Sequence, residues 1–235
     1  MEKYLEQIAR ECDLRGLSPK TKKAYIDSMR HFLRFYAERD PGELGIPEIK
    51  EYLLYLSNEK QYVGRSVNRA AAGIKFYYFK VLERNWRPSL IPRRKEKKTV
   101  PMVLTKEEIS KMIHCQRNVK HRAMLMTLYG TGIRNDELRN LKAEDIDSER
   151  MVIHVRNGKG NVDREAILSP TLLEYLRYYW KNNKDDKTNY LFPGSKNPKE
   201  PGKKPNKKLS HTAVGYLVRQ SAQIAGIKKK STPTP

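Results

Sequence analysis

The sequence predicts a mainly α chain: an N-terminal four-helix domain, then an α+β domain of helices with a small β-hairpin sheet. Three observations carry this. Apolar residues recur at steps of three and four through residues 1–84. A basic, proline-bearing stretch then breaks that rhythm, and farther on two short β-type runs flank Asn157-Gly158-Lys159-Gly160. No strand–helix alternation of the doubly wound kind appears, and no Walker or dinucleotide glycine motif.

The first domain is assigned to residues 1–84. An opening helix is predicted from Tyr4 to Leu14. In "SPKTKKAYIDSMRHFLRFYAE", Ser18 is a natural N-cap and Pro19 fits the first helical position, where its missing N–H costs nothing. Tyr25, Met29, Phe32, Leu33 and Tyr36 follow on one apolar face, read as core, while Lys20, Lys22, Lys23, Arg30 and Arg34 occupy the remainder. "PEIKEYLLYLSNE" and "GRSVNRAAAGIKFYYFKVLE" complete four helices, enough for a small bundle.

Residues 85–104 read as an interdomain linker, because "RNWRPSLIPRRKEKKTVPMVL" combines prolines with a dense basic cluster that self-repels. The second domain is assigned to 105–235. Thr105 and Glu108 form a capping-box pattern at its first helix. "VKHRAMLMTLYGTG" reads as a buried helix ending in glycines, and "NDELRNLKAEDID" as a short helix turning Leu138 and Leu141 inward. "MVIHVRNGKGNVDREAIL" gives two strands around a turn, "TLLEYLRYYW" an amphipathic helix, and "GSKNPKEPGKKPNKKLS" a basic loop. "HTAVGYLVRQSAQIAG" is the last helix, with Gly226 as its C-cap.

The 235 residues carry 48 Lys+Arg against 27 Asp+Glu, a net charge of +21. Such an excess suits a polyanion, because each cation placed on a phosphate releases condensed counterions. Double-stranded DNA is the expected partner, and Lys20, Lys22, Lys23, Arg65, Arg69, Arg93, Arg94, Lys203 and Lys204 are the candidate contacts. With no long apolar run, signal peptide or lipidation motif in the sequence, no membrane partner is expected, and no small-molecule substrate. Two distant cysteines fit a reducing cytoplasm, and five scattered histidines offer no ligand-like pair, so no metal or other cofactor is expected.

Two residues draw attention for chemistry. Arg134 follows the glycine turn of "GTGIRNDELRNL" at the start of a helical segment, where amides and a guanidinium fork suit phosphate. Glu137, one turn on, is placed to hold that fork, although a plain i,i+3 surface ion pair accounts for the same spacing. Lys159, at the hairpin tip, reaches outward as a proton donor or as a merely solvated lysine.

With those residues in view, the chain resembles the tyrosine recombinases of the phage integrase type, near the Xer and integron groups. "LMTLYGTGIRNDELRNLKAEDID" is similar to the family's first arginine box, "GKGNVDREAILS" to its hairpin, and "AVGYLVRQSAQIAGI" to the helix before its second box. "SPKTKKAYIDSMRHFLRFY" resembles its SAM-like core-binding domain. The resemblance implies that Arg134 and Lys159 are catalytic, Arg134 on the scissile phosphate and Lys159 as general acid for the leaving 5′-oxygen. It implies a tyrosine nucleophile forming a 3′-phosphotyrosine link, which conserves bond energy without ATP, and no metal. It also implies a clamp around DNA and a tetrameric synapse.

In the family, a His-x-x-Arg box follows a segment like "AGIKKKSTPTP", and a nucleophilic tyrosine comes later; the sequence reaches Pro235 about where that histidine is due. The catalytic domain is therefore expected to be C-terminally incomplete and, alone, deficient in cleavage. Tyr175, Tyr178, Tyr179, Tyr190 and Tyr216 read as core or surface, not as nucleophiles. Two alternatives stay open: a non-catalytic DNA-binding regulator at recombination sites, and a type IB topoisomerase-like enzyme.

Overall fold

The computed structural model describes residues 1–37, 39–96, 103–156, 162–182, 189–194 and 208–228. The chain divides into two compact units, Met1–Thr99 and Val100–Pro235.

The first unit contains α1 (Glu2–Leu14), α2 (Pro19–Phe35), α3 (Ile46–Asn58) and α4 (Gly64–Phe76). Ser18 caps α2 by accepting from the Thr21 amide at 3.2 Å, with Pro19 in the first turn. The predicted apolar face is the core: Met29, Phe32 and Leu33 are fully buried, each contributing about 1.5–3 kcal/mol by leaving water. Phe32 packs edge-on against Tyr52 and Tyr78, with ring centroids 5.3 and 6.4 Å away. Helices α2 and α4 cross closely at Gly73, where an added Cβ would stand 2.6 Å from the Ser28 Cβ.

Two features differ from the sequence reading. The fourth helix does not run unbroken to its end; beyond Phe76 it widens into a π-helical turn over Tyr77–Val81. In that wider turn both Tyr77 and Tyr78 face inward, 1% and 0% exposed. Part of the stretch expected as linker also packs on the first unit. Trp86 stacks on Tyr78 with ring centroids 5.0 Å apart, and Ile91 is fully buried in the same core. Asn68 grips the main chain of Arg94, donating to its carbonyl at 2.9 Å and accepting from its amide at 2.8 Å.

The second unit contains α5 (Lys106–His114), α6 (Val119–Thr131), α7 (Asn135–Asn140), β1 (Ile146–Asp147), β2 (Val152–Val155), β3 (Arg164–Ile167), α8 (Pro170–Asn182) and α9 (His211–Ile224). The capping box at α5 is reciprocal: the Glu108 amide donates to Thr105 Oγ1 at 3.2 Å and the Thr105 amide to Glu108 Oε2 at 2.8 Å. Gly132 ends α6 in the left-handed region (φ 61°) that glycine enters without strain. Leu138 and Leu141 face the core as predicted. The sheet is antiparallel in the order β1-β2-β3, with Val155 opposite Arg164 at the turn end of the hairpin. Strand β1 was not foreseen, because two residues carry no readable period.

After α8 the chain returns to the core. The Leu191 amide donates to the Leu141 carbonyl at 2.7 Å, Phe192 is fully buried, and Pro193 forms an antiparallel bridge with Lys208. Gly226 follows α9 at φ 71°, its amide on the Gln223 carbonyl.

Candidate active site and nucleic-acid interface

Arg134 occupies the N-cap of α7, delivered there by the tight turn at Gly132 and anchored by Ile133, which is buried. Its guanidinium donates from Nη1 to Glu137 Oε1 at 2.8 Å, and its amide donates to Glu137 Oε2 at 2.7 Å. One carboxylate therefore fixes both the backbone and the side chain of the arginine. The sequence reading counted the amides at this helix start as free for an anion. The amide of Arg134 is instead taken by Glu137, so the guanidinium carries the attraction.

Glu137 is nearly sealed, its side chain 5% exposed, while that of Arg134 is 39% exposed. A buried carboxylate needs partners to stay charged. It has a third one that sequence reasoning missed: Arg164, at the start of β3, donates from Nη2 to Glu137 Oε2 at 2.8 Å. Burial works to raise the Glu137 carboxyl, but the Arg134 amide and both guanidiniums outweigh it and hold the group below the ordinary carboxylate range. The only signal in the sequence for Arg164 was its place in the second strand, which does not say which helix the strand faces.

A parallel pair lies at the end of β2. Arg156 donates from Nε to Asp145 Oδ1 at 2.8 Å, and the Asp145 side chain is 5% exposed. Its second oxygen accepts the Lys142 amide at 2.9 Å. Both strands leading to the hairpin turn are thus staked to buried carboxylates of the α7–β1 segment. Lys159, expected at the tip of that turn, lies outside the described residues, as do Lys203 and Lys204.

In the first unit, several of the expected DNA contacts also meet carboxylates or hydroxyls of the chain. Lys22 is engaged by Asp13 at 2.6 Å, Lys23 by Asp27 at 3.2 Å, and Arg65 and Arg93 both reach Glu96, at 3.6 and 3.5 Å. The Arg94 guanidinium donates to Ser57 Oγ. Lys20 and Arg69 are exposed on α2 and α4. Sequence reasoning missed a groove of about 650 Å³ between α2, α3 and α4. His31, Arg34, Lys60 and Arg69 line it together with Tyr55 and Tyr62. The helical period does place Ala24, Asp27, His31 and Arg34 on one face of α2, but nothing in it showed what that face opens onto.

The tyrosines of the second unit are core or surface. Tyr179 is buried and donates to the Leu191 carbonyl at 3.0 Å, whereas Tyr178 and Tyr216 are exposed. Among the described residues there is no group of three or more His, Cys, Asp or Glu able to hold a metal, and no helix is long and apolar enough to cross a membrane.

The comparisons with known proteins bear on both units. Residues 4–88 match the phage integrase N-terminal SAM-like domain, and residues 102–235 match the phage integrase family. The chain is 33% identical over 229 residues to putative integrase/recombinase y4qK of Sinorhizobium fredii, covering 97% of this chain and 71% of that protein. It is 33% identical over 228 residues to the tyrosine recombinase XerA of Pyrococcus furiosus, covering 95% and 74%. The fold matches a lambda integrase tetramer bound to a Holliday junction with a TM-score of 0.70 at 16% identity, over 99% of this chain and 66% of that one. With both units matched and the fold shared, the chain belongs to the phage integrase family of tyrosine recombinases.

Proposed function

We propose that this protein is a DNA-binding, site-specific recombinase in which Arg134 binds the non-bridging oxygens of the scissile phosphate. The observation that supports this most directly is the guanidinium of Arg134. It is locked on one edge by a buried carboxylate and open to solvent beyond it, so it meets an incoming phosphate without reorganising. Preorganised charge of this kind is worth roughly 10²–10³ in rate per donor. Lys159 takes the role of general acid for the leaving oxygen. Lys20, Arg69 and the groove lined by His31, Arg34 and Lys60 supply phosphate contacts that position the duplex.

Residues 1–84 then act as the DNA-clamping domain, 85–104 as its basic extension and 105–235 as the catalytic domain. Double-stranded DNA is the partner, and assembly on it as a tetramer follows from the likeness to the lambda integrase tetramer on a Holliday junction. The place of action is the cytoplasm, in keeping with Cys12 and Cys115 as free thiols. Residues 1–235 supply the first arginine and the lysine of the strand-cleaving centre.

The experiment is a selection of bound sites from a random duplex pool, followed by binding assays on the selected site. Tight, salt-sensitive binding that weakens in Arg134→Ala is expected. Undiminished binding by Arg134→Ala to the selected site counts against the assignment of Arg134.

A further inference from the structure

One guanidinium at this centre has no part in the reading above. Arg164 donates to Glu137 Oε2 at 2.8 Å while Arg134 donates to Oε1 at 2.8 Å. The two arginines therefore reach the same buried carboxylate, one from each of its oxygens. They come from different elements, Arg134 from the N-cap of α7 and Arg164 from β3. Their side chains remain 39% and 35% exposed, whereas that of Glu137 is 5% exposed.

Charge counting shows what the third member does. Arg134 and Glu137 alone form a neutral pair, and a neutral pair attracts an anion weakly. With Arg164 the cluster carries one net positive charge, and that charge lies at its solvent side because the carboxylate is the buried member. Geometry adds a second effect. Oε2 of Glu137 already accepts the Arg134 amide at 2.7 Å, and Arg164 brings to that oxygen a side-chain donor from a different element, so the carboxylate plane is held between α7 and β3. A fixed carboxylate plane in turn fixes the planar fork of Arg134.

We propose that Arg164 is a positioning residue for Arg134, acting through Glu137: it orients the Arg134 guanidinium and supplies the positive charge that Glu137 would otherwise cancel. The inference rests on the reading of Arg134 as the phosphate-binding arginine. It adds a residue of the strand to the centre and makes the orientation of the arginine depend on the docking of β3. The bond from Arg156 on β2 to Asp145 strengthens that docking.

The test uses the full chain and inorganic phosphate as the probe. The Nε–H resonance of Arg134, identified by its loss in Arg134→Lys, is followed by ¹⁵N NMR for guanidinium rotation and for its response to phosphate. In the wild type, rotation is expected to be slow and phosphate to shift the resonance. Arg164→Met should weaken phosphate binding about fivefold, the scale of a partly exposed ion pair, and should speed the rotation. Arg164→Lys keeps the charge without the planar fork, so affinity should stay within about twofold while rotation quickens. This variant also carries the test if Arg164→Met does not fold. Unchanged rotation and unchanged phosphate affinity in a folded Arg164 variant overturn the inference and leave the assignment of Arg134 standing. A wild-type Arg134 resonance that ignores phosphate removes that assignment, and the inference with it.

Discussion

Asn68 holds Arg94 by the main chain, its carboxamide nitrogen on the carbonyl at 2.9 Å and its oxygen on the amide at 2.8 Å. A side chain here does what a neighbouring strand does in a sheet, saturating one residue's backbone donor and acceptor together. The same nitrogen also donates to Glu96 Oε1 at 2.8 Å. Asn68→Ala removes these bonds and frees residues 92–96 from α4. It should cost about 1–3 kcal/mol and speed tryptic cleavage after Arg93 and Arg94. Equal unfolding midpoints and equal cleavage rates in denaturant and protease titrations would speak against the clamp.

At Gly73 two effects of opposite sign compete. Alanine in a helix interior is favoured over glycine by about 1 kcal/mol. The new Cβ would stand 2.6 Å from Ser28 Cβ and 3.1 Å from Tyr25 Cα, an overpacking that costs about 1–3 kcal/mol. Gly73→Ala is therefore expected to destabilise, and Ser28→Gly in the same chain should recover much of the loss. Thermal unfolding of the two single variants and the double variant gives the coupling directly. Additive effects would mean that the helices do not meet there.

Glu137 gives a pH dependence with a definite sign. Its folded carboxyl titrates below its unfolded value of about 4.3. The stability it contributes is thus fully present above that value and is lost as pH falls through the lower, folded one. Glu137→Gln should cost about 1–3 kcal/mol at pH 7, less than a fully buried pair because both arginines are partly exposed. The gap between wild type and variant should close as pH falls below the unfolded value and through the lower, folded one. Denaturant midpoints across that range provide the check, and a gap that stays constant with pH would refute the ionised state of the group.

Salt titrations separate the two kinds of basic residue in the first unit. Each phosphate contact contributes about 0.9 to the slope of log affinity against log salt. Arg34→Gln and Arg69→Gln, both in the groove between α2 and α4, should each lower that slope by about 1. Lys22→Gln should barely change it, since that ammonium is already held by Asp13. Fluorescence anisotropy with a duplex oligonucleotide at several salt concentrations measures all three, and equal slopes for the Arg34, Arg69 and wild-type proteins would exclude the groove.

What was legible in the sequence was whatever is set by neighbours along the chain. The face of Met29, Phe32 and Leu33, the Ser18 cap, the Thr105–Glu108 box and the i,i+3 relation of Arg134 to Glu137 all lie within one or two helical turns. What stayed hidden depends on partners far apart in the chain. Arg164 is 27 residues from Glu137, and Arg65 is separated from Glu96 by the rest of α4 and the proline-bearing stretch. A basic residue looks the same in sequence whether it faces a phosphate or an internal carboxylate. The π-helical turn was hidden for another reason: Tyr77 and Tyr78 look in sequence like one continued helical stripe, and a local widening of the turn leaves no mark on the apolar period.

The bridge between Pro193 and Lys208 makes this stretch of the second unit a natural port for engineering. Pro193 and Lys208 stand side by side, so each doubling of the length of chain that joins them adds only about 0.6 kcal/mol of closure entropy. A reporter peptide or a shortened connection inserted between Gly194 and Lys208 should leave the Arg134 centre undisturbed.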